Sequence, residues 1–288
     1  MTAAPARTPT SRDLSPALLR RLLASARVSV AEAYALVLRR GVRGVRARRK
    51  GVGDFVTTVD LAAERLLRAR LLREYPDHGF VGEEQGVHGA GREFVWVIDP
   101  IDGTSNFARG IPVFAVSVAV LHRGQPVAAA VRVHPEGATW SAALGLGAFR
   151  ERRRVRVPRG RLDDGAVLGA QWIRGPHELP FLGVLQDTGA RLRVFGCTVA
   201  QLVDVACGRL DGNVQEQGRL WDIAAAGLVL TEAGGVLTTW GGAPVFPVQD
   251  PASPQHYPTL AAPPKVHRDL LRVLAPLGAP LPVLGDRG

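Results

Sequence analysis

One stretch limits what this chain can become more than any other: Val95-Trp96-Val97-Ile98-Asp99-Pro100-Ile101-Asp102-Gly103-Thr104-Ser105-Asn106-Phe107. An apolar run rich in Val, Ile and aromatic residues reads as a buried strand. It ends in two carboxylates three residues apart, then a glycine and two hydroxyls. Pro100 has no N–H to donate, so the ladder is expected to break there and leave Asp99 and Asp102 on a turn at the strand's carboxyl end. Open α/β sheets bind ligands at that end. Two carboxylates held so close repel each other, and persist as a pair when they share a proton or a cation. Gly103 lets the backbone approach a ligand, and the N–H groups of Gly103, Thr104 and Ser105 are placed to meet an anion. The stretch reads as a cation site beside an anion site.

The remaining periodicities frame that strand. Ser15-Pro16 is an N-cap and first-turn pair, and Leu19, Leu22, Leu23, Ala26, Val30, Ala33 and Val37 keep helical spacing to about Leu38. The basic segment from Gly41 to Gly53 reads as a loop. Asp54 to Asp60 is a short strand or bend, and Asp60 is placed to cap a second helix that Pro76 ends. Phe80-Val81 is a short strand before Gly82-Glu83-Glu84. Alternating segments Val113–Leu121 and Val127–Val133 form a hairpin, and Thr139–Leu144 and Ala148-Phe149 extend an antiparallel sheet. Beyond a composition break near Arg159-Gly160, strands at 166–173, 192–195, 210–214, 236–239 and 259–261 alternate with helices at 181–188, 198–207, 222–232 and 266–274. That alternation is the pattern of a layered α/β unit. The expected division is a disordered leader over residues 1–12, an α+β subdomain over 13–159, and an α/β subdomain over 160–288.

Composition excludes several classes. With 46% apolar residues the chain can build a core. No apolar run approaches the roughly 20 residues of a membrane span. Met1 to Thr10 lacks the apolar segment of a secretory signal. Cys197 and Cys207 fall on one predicted helix, ~15 Å apart at its rise per residue. A disulfide needs Cα atoms within ~7 Å, so both read as reduced thiols of a cytoplasmic protein. The net charge of +10 comes mainly from arginine, densest over Arg39 to Lys50 and Arg150 to Arg156. Neither run is interleaved with aromatic residues, so a solvated face is favoured over a nucleic-acid surface, and the field also suits an anionic substrate.

Four acidic clusters stand beside predicted elements: Asp54/Asp60, Glu83/Glu84, Asp99/Asp102, and Asp222 in Leu220-Trp221-Asp222-Ile223-Ala224-Ala225-Ala226-Gly227. Singly, each has an ordinary explanation as a helix cap or turn residue. Asp222 is the most telling, because its tryptophan and Ala-Gly neighbours imply tight packing, and a carboxylate in a tight place needs a partner. An aspartyl-phosphate enzyme is excluded. Its motif is Asp-x-Asp-Gly-Thr, and here Pro100 stands at the nucleophile's position.

Taken together, Gly82-Glu83-Glu84, Trp96 through Phe107, and Trp221 through Gly227 with Thr231-Glu232-Ala233-Gly234-Gly235 resemble the inositol monophosphatase family of Mg²⁺-dependent, lithium-sensitive phosphomonoesterases. Lys50 with Asp54 to Asp60, and Gly196 to Gly208, match further motifs, and the likeness spans about residues 14 to 275. It implies a five-layer α/β/α/β/α sandwich like that of inositol monophosphatase and fructose-1,6-bisphosphatase. It implies that Glu83, Asp99, the Ile101 carbonyl, Asp102 and Asp222 bind two or three Mg²⁺ ions. Asp60 would bond Thr104 and, with it and Glu83, orient the attacking water. Gly103, Thr104 and Ser105 would hold phosphate. Gly196, Cys197, Thr198 and Glu216 would meet the alcohol, and Lys50 and Asp54 would belong to a basic loop over the site. A homodimer is the family expectation.

The chemistry agrees with this assignment. Magnesium takes oxygen ligands and can activate water for in-line displacement, so no phosphoenzyme is required. The chain also departs from its relatives. Glu216 lies six residues before Asp222 where the family has seven, Thr198 stands in place of alanine, and Ala148-Phe149-Arg150-Glu151-Arg152 lacks the family's Asn-Gly turn. The expected reaction is hydrolysis of a small phosphate monoester, best represented by inositol 1-phosphate. Alternatives in the same family are histidinol phosphate, fructose 1,6-bisphosphate, NADP and 3′-phosphoadenosine 5′-phosphate. The arginine runs motivate a different class, an RNA- or polymerase-associated regulatory homologue.

Overall fold

Ser15 starts the first helix as its spacing predicts. Its Oγ accepts the Leu18 N–H at 3.2 Å, and Gly41, at φ +62°, ends the helix after Arg40. The computed structural model describes residues 14–41, 47–51, 54–171 and 179–277. The expected leader lies outside the described residues.

In chain order the elements are α1 (Pro16–Arg40), β1 (Ala47–Gly51), β2 (Asp54–Thr57), α2 (Thr58–Glu74), β3 (Gly79–Gly82), β4 (Gly86–His88), β5 (Phe94–Asp102), α3 (Thr104–Arg109), β6 (Phe114–His122), β7 (Gln125–His134), β8 (Thr139–Ala143), β9 (Gly147–Arg150) and β10 (Arg153–Val155). They continue with β11 (Val167–Ala170), α4 (Leu179–Gln186), β12 (Arg191–Arg193), α5 (Thr198–Cys207), β13 (Gly212–Gly218), α6 (Leu220–Glu232), β14 (Val236–Thr239), β15 (Tyr257–Ala262) and α7 (Pro264–Leu274).

The strands of residues 79–155 form an eight-stranded sheet in the order β10-β9-β8-β7-β6-β5-β3-β4, antiparallel except for β3 beside β5. A five-stranded sheet, β12-β11-β13-β15-β14, follows, with β12, β11 and β13 parallel. Period-2 alternation sorts β5 between two cores. Trp96 and Ile98 join Leu19, Leu22 and Val30 of α1 and Leu67 and Leu71 of α2. Val95 and Val97 point the other way, into a core built from α5 and α6. That core reaches Tyr257 and Ala261 of the small sheet, whose other face packs Leu168, Val214 and Leu260 against Leu185 of α4 and Leu270 of α7. The layers are therefore α1/α2, large sheet, α5/α6, small sheet, α4/α7: the α/β/α/β/α sandwich. No helix of the described residues is long and apolar enough to cross a membrane.

Three sequence expectations need correction. The basic segment is not wholly loop: Ala47–Gly51 pairs antiparallel with Asp54–Thr57, so Lys50 and Asp54 both lie in strands of a hairpin. Asp60 is not an N-cap; Thr57 is. Pro100 does not end β5, which continues to Asp102 across a bulge. The second arginine run also forms structure. β10 sits at the sheet edge with Arg153 and Arg154 exposed, where charge discourages edge-to-edge pairing.

Candidate active site

The bulge in β5 decides which way its carboxylates face. Residues three apart on a regular strand point to opposite faces. Here Asp99 pairs with Ser117 and Asp102 with Ala115, so β5 sets three steps against two on β6. The extra residue restores parity, and both aspartates face α5 and α6. Pro100 suits the irregular position, since it has no N–H to lose there.

From that face a third carboxylate joins them. One oxygen each of Asp99, Asp102 and Asp222 lies within 4.8 Å of the others. Each carboxylate is also held by further hydrogen bonds, Asp99 and Asp222 by nearby backbone and Asp102 by the start of α5. Asp99 Oδ1 accepts the Ile101 N–H at 2.9 Å. Asp102 Oδ2 accepts Val199 N–H at 2.5 Å and Cys197 Sγ–H at 3.1 Å. Asp222 Oδ2 accepts the Arg219 N–H at 2.8 Å, at the N3 position of α6. Asp60 does the same at N3 of α2: its Oδ2 accepts the Thr57 N–H at 3.0 Å and the Thr57 hydroxyl. Its Oδ1 faces Thr104 Oγ1 at 3.1 Å. Helix capping thus fixes two of these side chains, and the partner oxygen of Asp60 is left to work on Thr104.

The electrostatics are those of a site built for cations. Burial, then the charges of Glu83, Asp102 and Asp222, push the Asp99 carboxyl well above the usual range. Burial, then Asp102, does the same to Asp222. Asp102 is pushed up to about 6 by burial, against the lowering effect of its Val199 and Cys197 donors. Burial, then the Asp102 charge, raises the Cys197 thiol well above its ordinary value and keeps it a proton donor.

A cleft of about 200 Å³ opens over this cluster. Glu83, Asp99, Ile101, Asp102, Gly103, Thr104, Ser105, Gly196 and Asp222, all named from sequence, line it. A wider groove of about 650 Å³ runs along α1, but its carboxylates Glu32 and Glu151 are paired with Arg70 and Arg27. Gly103 is held at φ +89°, and a Cβ there would lie 2.9 Å from Val113 O, so no other residue fits. The Thr104 hydroxyl also stands 2.9 Å from Ile101 O.

Other named residues are placed elsewhere. The Thr198 hydroxyl accepts from Gln215 Nε2 at 3.0 Å, and neither Thr198 nor Glu216 lines the cleft. The side chains of Lys50 and Asp54 lie outside the described residues. Two residues were missed. Gln171, just past β11, lines the cleft; the signal was a polar residue at the carboxyl end of a buried parallel strand. Asn106 Nδ2 donates to Val113 O at 2.9 Å and Phe195 O at 2.7 Å, and so seats the Gly196-Cys197 turn against Gly103. It stood in the motif without an assigned role.

The family model of the inositol monophosphatase family matches residues 19–275. This chain belongs to the inositol monophosphatase family. It is accordingly a phosphatase, a phosphoric monoester hydrolase. Among relatives, the Nus factor SuhB of Xylella fastidiosa is 34% identical over 230 residues, 78% of this chain and 83% of that protein. A fructose-1,6-bisphosphatase/inositol-1-monophosphatase of Aquifex aeolicus is 36% identical over 198 residues, 67% of this chain and 75% of that one. The solved inositol monophosphatase of Anabaena (Nostoc) sp. PCC 7120 superposes with a TM-score of 0.77 at 27% identity, covering 90% of this chain and 97% of that one. Members of the inositol monophosphatase family depend on Mg²⁺, and the donor set here fits a hard cation: oxygens only, three of them carboxylates that repel one another.

Proposed function

We propose that this inositol monophosphatase family member hydrolyses inositol 1-phosphate to inositol and phosphate with Mg²⁺, by direct attack of water. The observation that carries the reading is the convergence of Asp99, Asp102 and Asp222 on one point, beside the Asp60–Thr104 pair and in one cleft with Glu83.

Asp99, Asp102, Asp222, Glu83 and the Ile101 carbonyl would hold two or three Mg²⁺ ions. When bound, the ions supply charge neutralisation for the phosphate and the leaving alkoxide and lower the pKa of water, and inhibition by Li⁺ is expected from the family. The residues do the rest. Thr104 has one hydroxyl proton and two acceptors in reach, Asp60 Oδ1 and Ile101 O. Donating to Asp60 leaves its lone pairs free to accept a hydrogen bond from water and so turn the water's own lone pair toward phosphorus. The N–H groups of Gly103, Thr104 and Ser105 orient the phosphate. Gly196 and Gln171, which line the same cleft, meet the alcohol. The free thiols of Cys197 and Cys207 support a cytoplasmic location, and a homodimer belongs to the same proposal.

The test is phosphate release by purified protein from inositol 1-phosphate, fructose 1,6-bisphosphate, histidinol phosphate, NADP and 3′-phosphoadenosine 5′-phosphate, with Mg²⁺ or chelator. The highest kcat/KM is expected for inositol 1-phosphate. A higher value for another ester would reassign the substrate, and Mg²⁺-independent turnover would end the reading. A second reading, association with RNA or its polymerase, is favoured by the exposed Arg152, Arg153, Arg154 and Arg156 and by the Nus factor name of a relative. Salt-dependent RNA binding that survives Asp99→Asn would support it.

A further inference from the structure

The buried face of α2 carries two carboxylates one turn apart. Asp60 and Glu64 are each 0% exposed, in line with Ala63, Leu67 and Leu71. Asp60 reaches Thr104. Glu64 reaches the turn after β3: its Oε2 accepts the Glu84 N–H at 2.8 Å and its Oε1 accepts the Gln85 N–H at 2.6 Å. The same turn is tied on its other side, where Glu83 N–H meets Ile98 O at 3.4 Å. The approach is close enough that a Cβ on Gly82 would lie 2.6 Å from Glu64 Cδ, so a larger residue there would displace the Glu64 carboxylate.

Two consecutive N–H groups need two acceptors side by side. A carboxylate has them, whereas a glutamine would turn an NH₂ toward one of the donors. Charge-assisted bonds of this kind are short and directional. A charge on the apolar face of a helix is unfavourable for packing alone. What the position supplies is geometry, because one rigid helix sets the distance from the Asp60–Thr104 pair to the turn that bears Glu83.

We propose that Glu64 is a positioning residue for cation binding: it holds the Glu83-Glu84 turn in register with Asp60, so that Glu83 faces Asp99, Asp102 and Asp222. The proposal rests on the reading of Glu83 as a metal ligand.

The experiment is calorimetric titration of the purified full chain with Mg²⁺, without substrate, for wild type, Asp99→Asn, Glu64→Gln, Glu64→Asp and Leu67→Ala. Wild type should bind and Asp99→Asn should not. Glu64→Gln should raise the Mg²⁺ dissociation constant about ten- to hundredfold, the usual effect of removing a residue that orients a ligand. Its kcat should recover at saturating Mg²⁺. Glu64→Asp, which keeps the buried charge but withdraws the oxygens, should shift binding in the same direction and stands in if the glutamine variant does not fold. Leu67→Ala should lower Tm and leave Mg²⁺ affinity unchanged, the result for a residue with a packing role alone. Wild-type Mg²⁺ affinity in a folded Glu64 variant overturns the positioning role and leaves the metal site standing. A wild-type protein that binds no Mg²⁺ overturns both.

Discussion

Thr104 Oγ1 and Asp60 Oδ1 stand 3.1 Å apart although 44 residues separate them in the chain. The other Asp60 oxygen is bound to Thr57 at the start of α2, so the carboxylate cannot turn away from Thr104. Thr104→Ala and Asp60→Asn should each lower kcat about 10²–10⁴-fold, the usual range for a group that handles a proton in the transition state, with little change in KM. The double variant should fall little further, since both act through one water. Steady-state kinetics on all three proteins checks this, and additive losses would mean separate roles.

The crowded carboxylates should make the metal-free protein sensitive to pH in an unusual direction. Burial raises Asp99, Asp102 and Asp222 above their ordinary values, and repulsion from neighbouring carboxylates adds to it at Asp99 and Asp222. A carboxyl whose folded pKa is raised binds protons more readily folded than unfolded. Its stabilising effect is present below the ordinary value and lost as pH rises through the folded one. For Asp102 the window runs from 3.8 to about 6. Tm in chelator should therefore fall as pH rises from 3.8 to about 6, and fall further above that as Asp99 and Asp222 ionise, and Mg²⁺ should remove the fall. Scanning calorimetry in chelator and in Mg²⁺ measures both.

Asp99→Asn should separate stability from activity. It takes one ionisable carboxyl out of the crowded cluster, so the metal-free variant should match or exceed wild-type Tm at pH values where the cluster ionises, while losing phosphatase activity. A variant both inactive and strongly destabilised would mark Asp99 as mainly structural.

Gly103→Ala tests the phosphate loop. The residue would be held at φ +89° with its Cβ 2.9 Å from Val113 O. The backbone strain alone is about 1–2 kcal/mol, and relief requires moving the Thr104 and Ser105 N–H groups. A lower Tm and a rise in KM for the phosphate ester are expected together.

Thr198→Ala places at this position the alanine that the family resemblance leads one to expect. The hydroxyl accepts from Gln215 Nε2 at 3.0 Å, and both residues are buried, at 5% and 1% exposure. Removing it leaves a buried donor unpaired, worth about 1–3 kcal/mol. KM for inositol 1-phosphate should stay unchanged, because Thr198 does not line the cleft. Denaturant unfolding and kinetics on the same preparation distinguish the two effects.

Much of this architecture was legible in order and period. α1, β6, β7, α5 and β14 lie where hydrophobic spacing predicts. The acidic motifs named the residues around the cleft and the hard-oxygen chemistry they serve. Less was visible where partners are distant. The bulge depends on the register of β6 against β5, which a strand's own residues do not reveal. Asp60 and Asp222 read as caps because their neighbours are helical, but both sit at N3.

What the chain determined by itself is local: which segments are strands or helices, and which donor atoms are available, because periodicity and side-chain chemistry act within a few residues. Only the tertiary structure decided which of those atoms meet. Asp102 finds Val199 across 97 residues, Glu64 meets the turn beyond Glu83, and Thr198 turns to Gln215. Those encounters follow from how five layers stack and how two strands register, and a carboxylate's role is set by its neighbours in space.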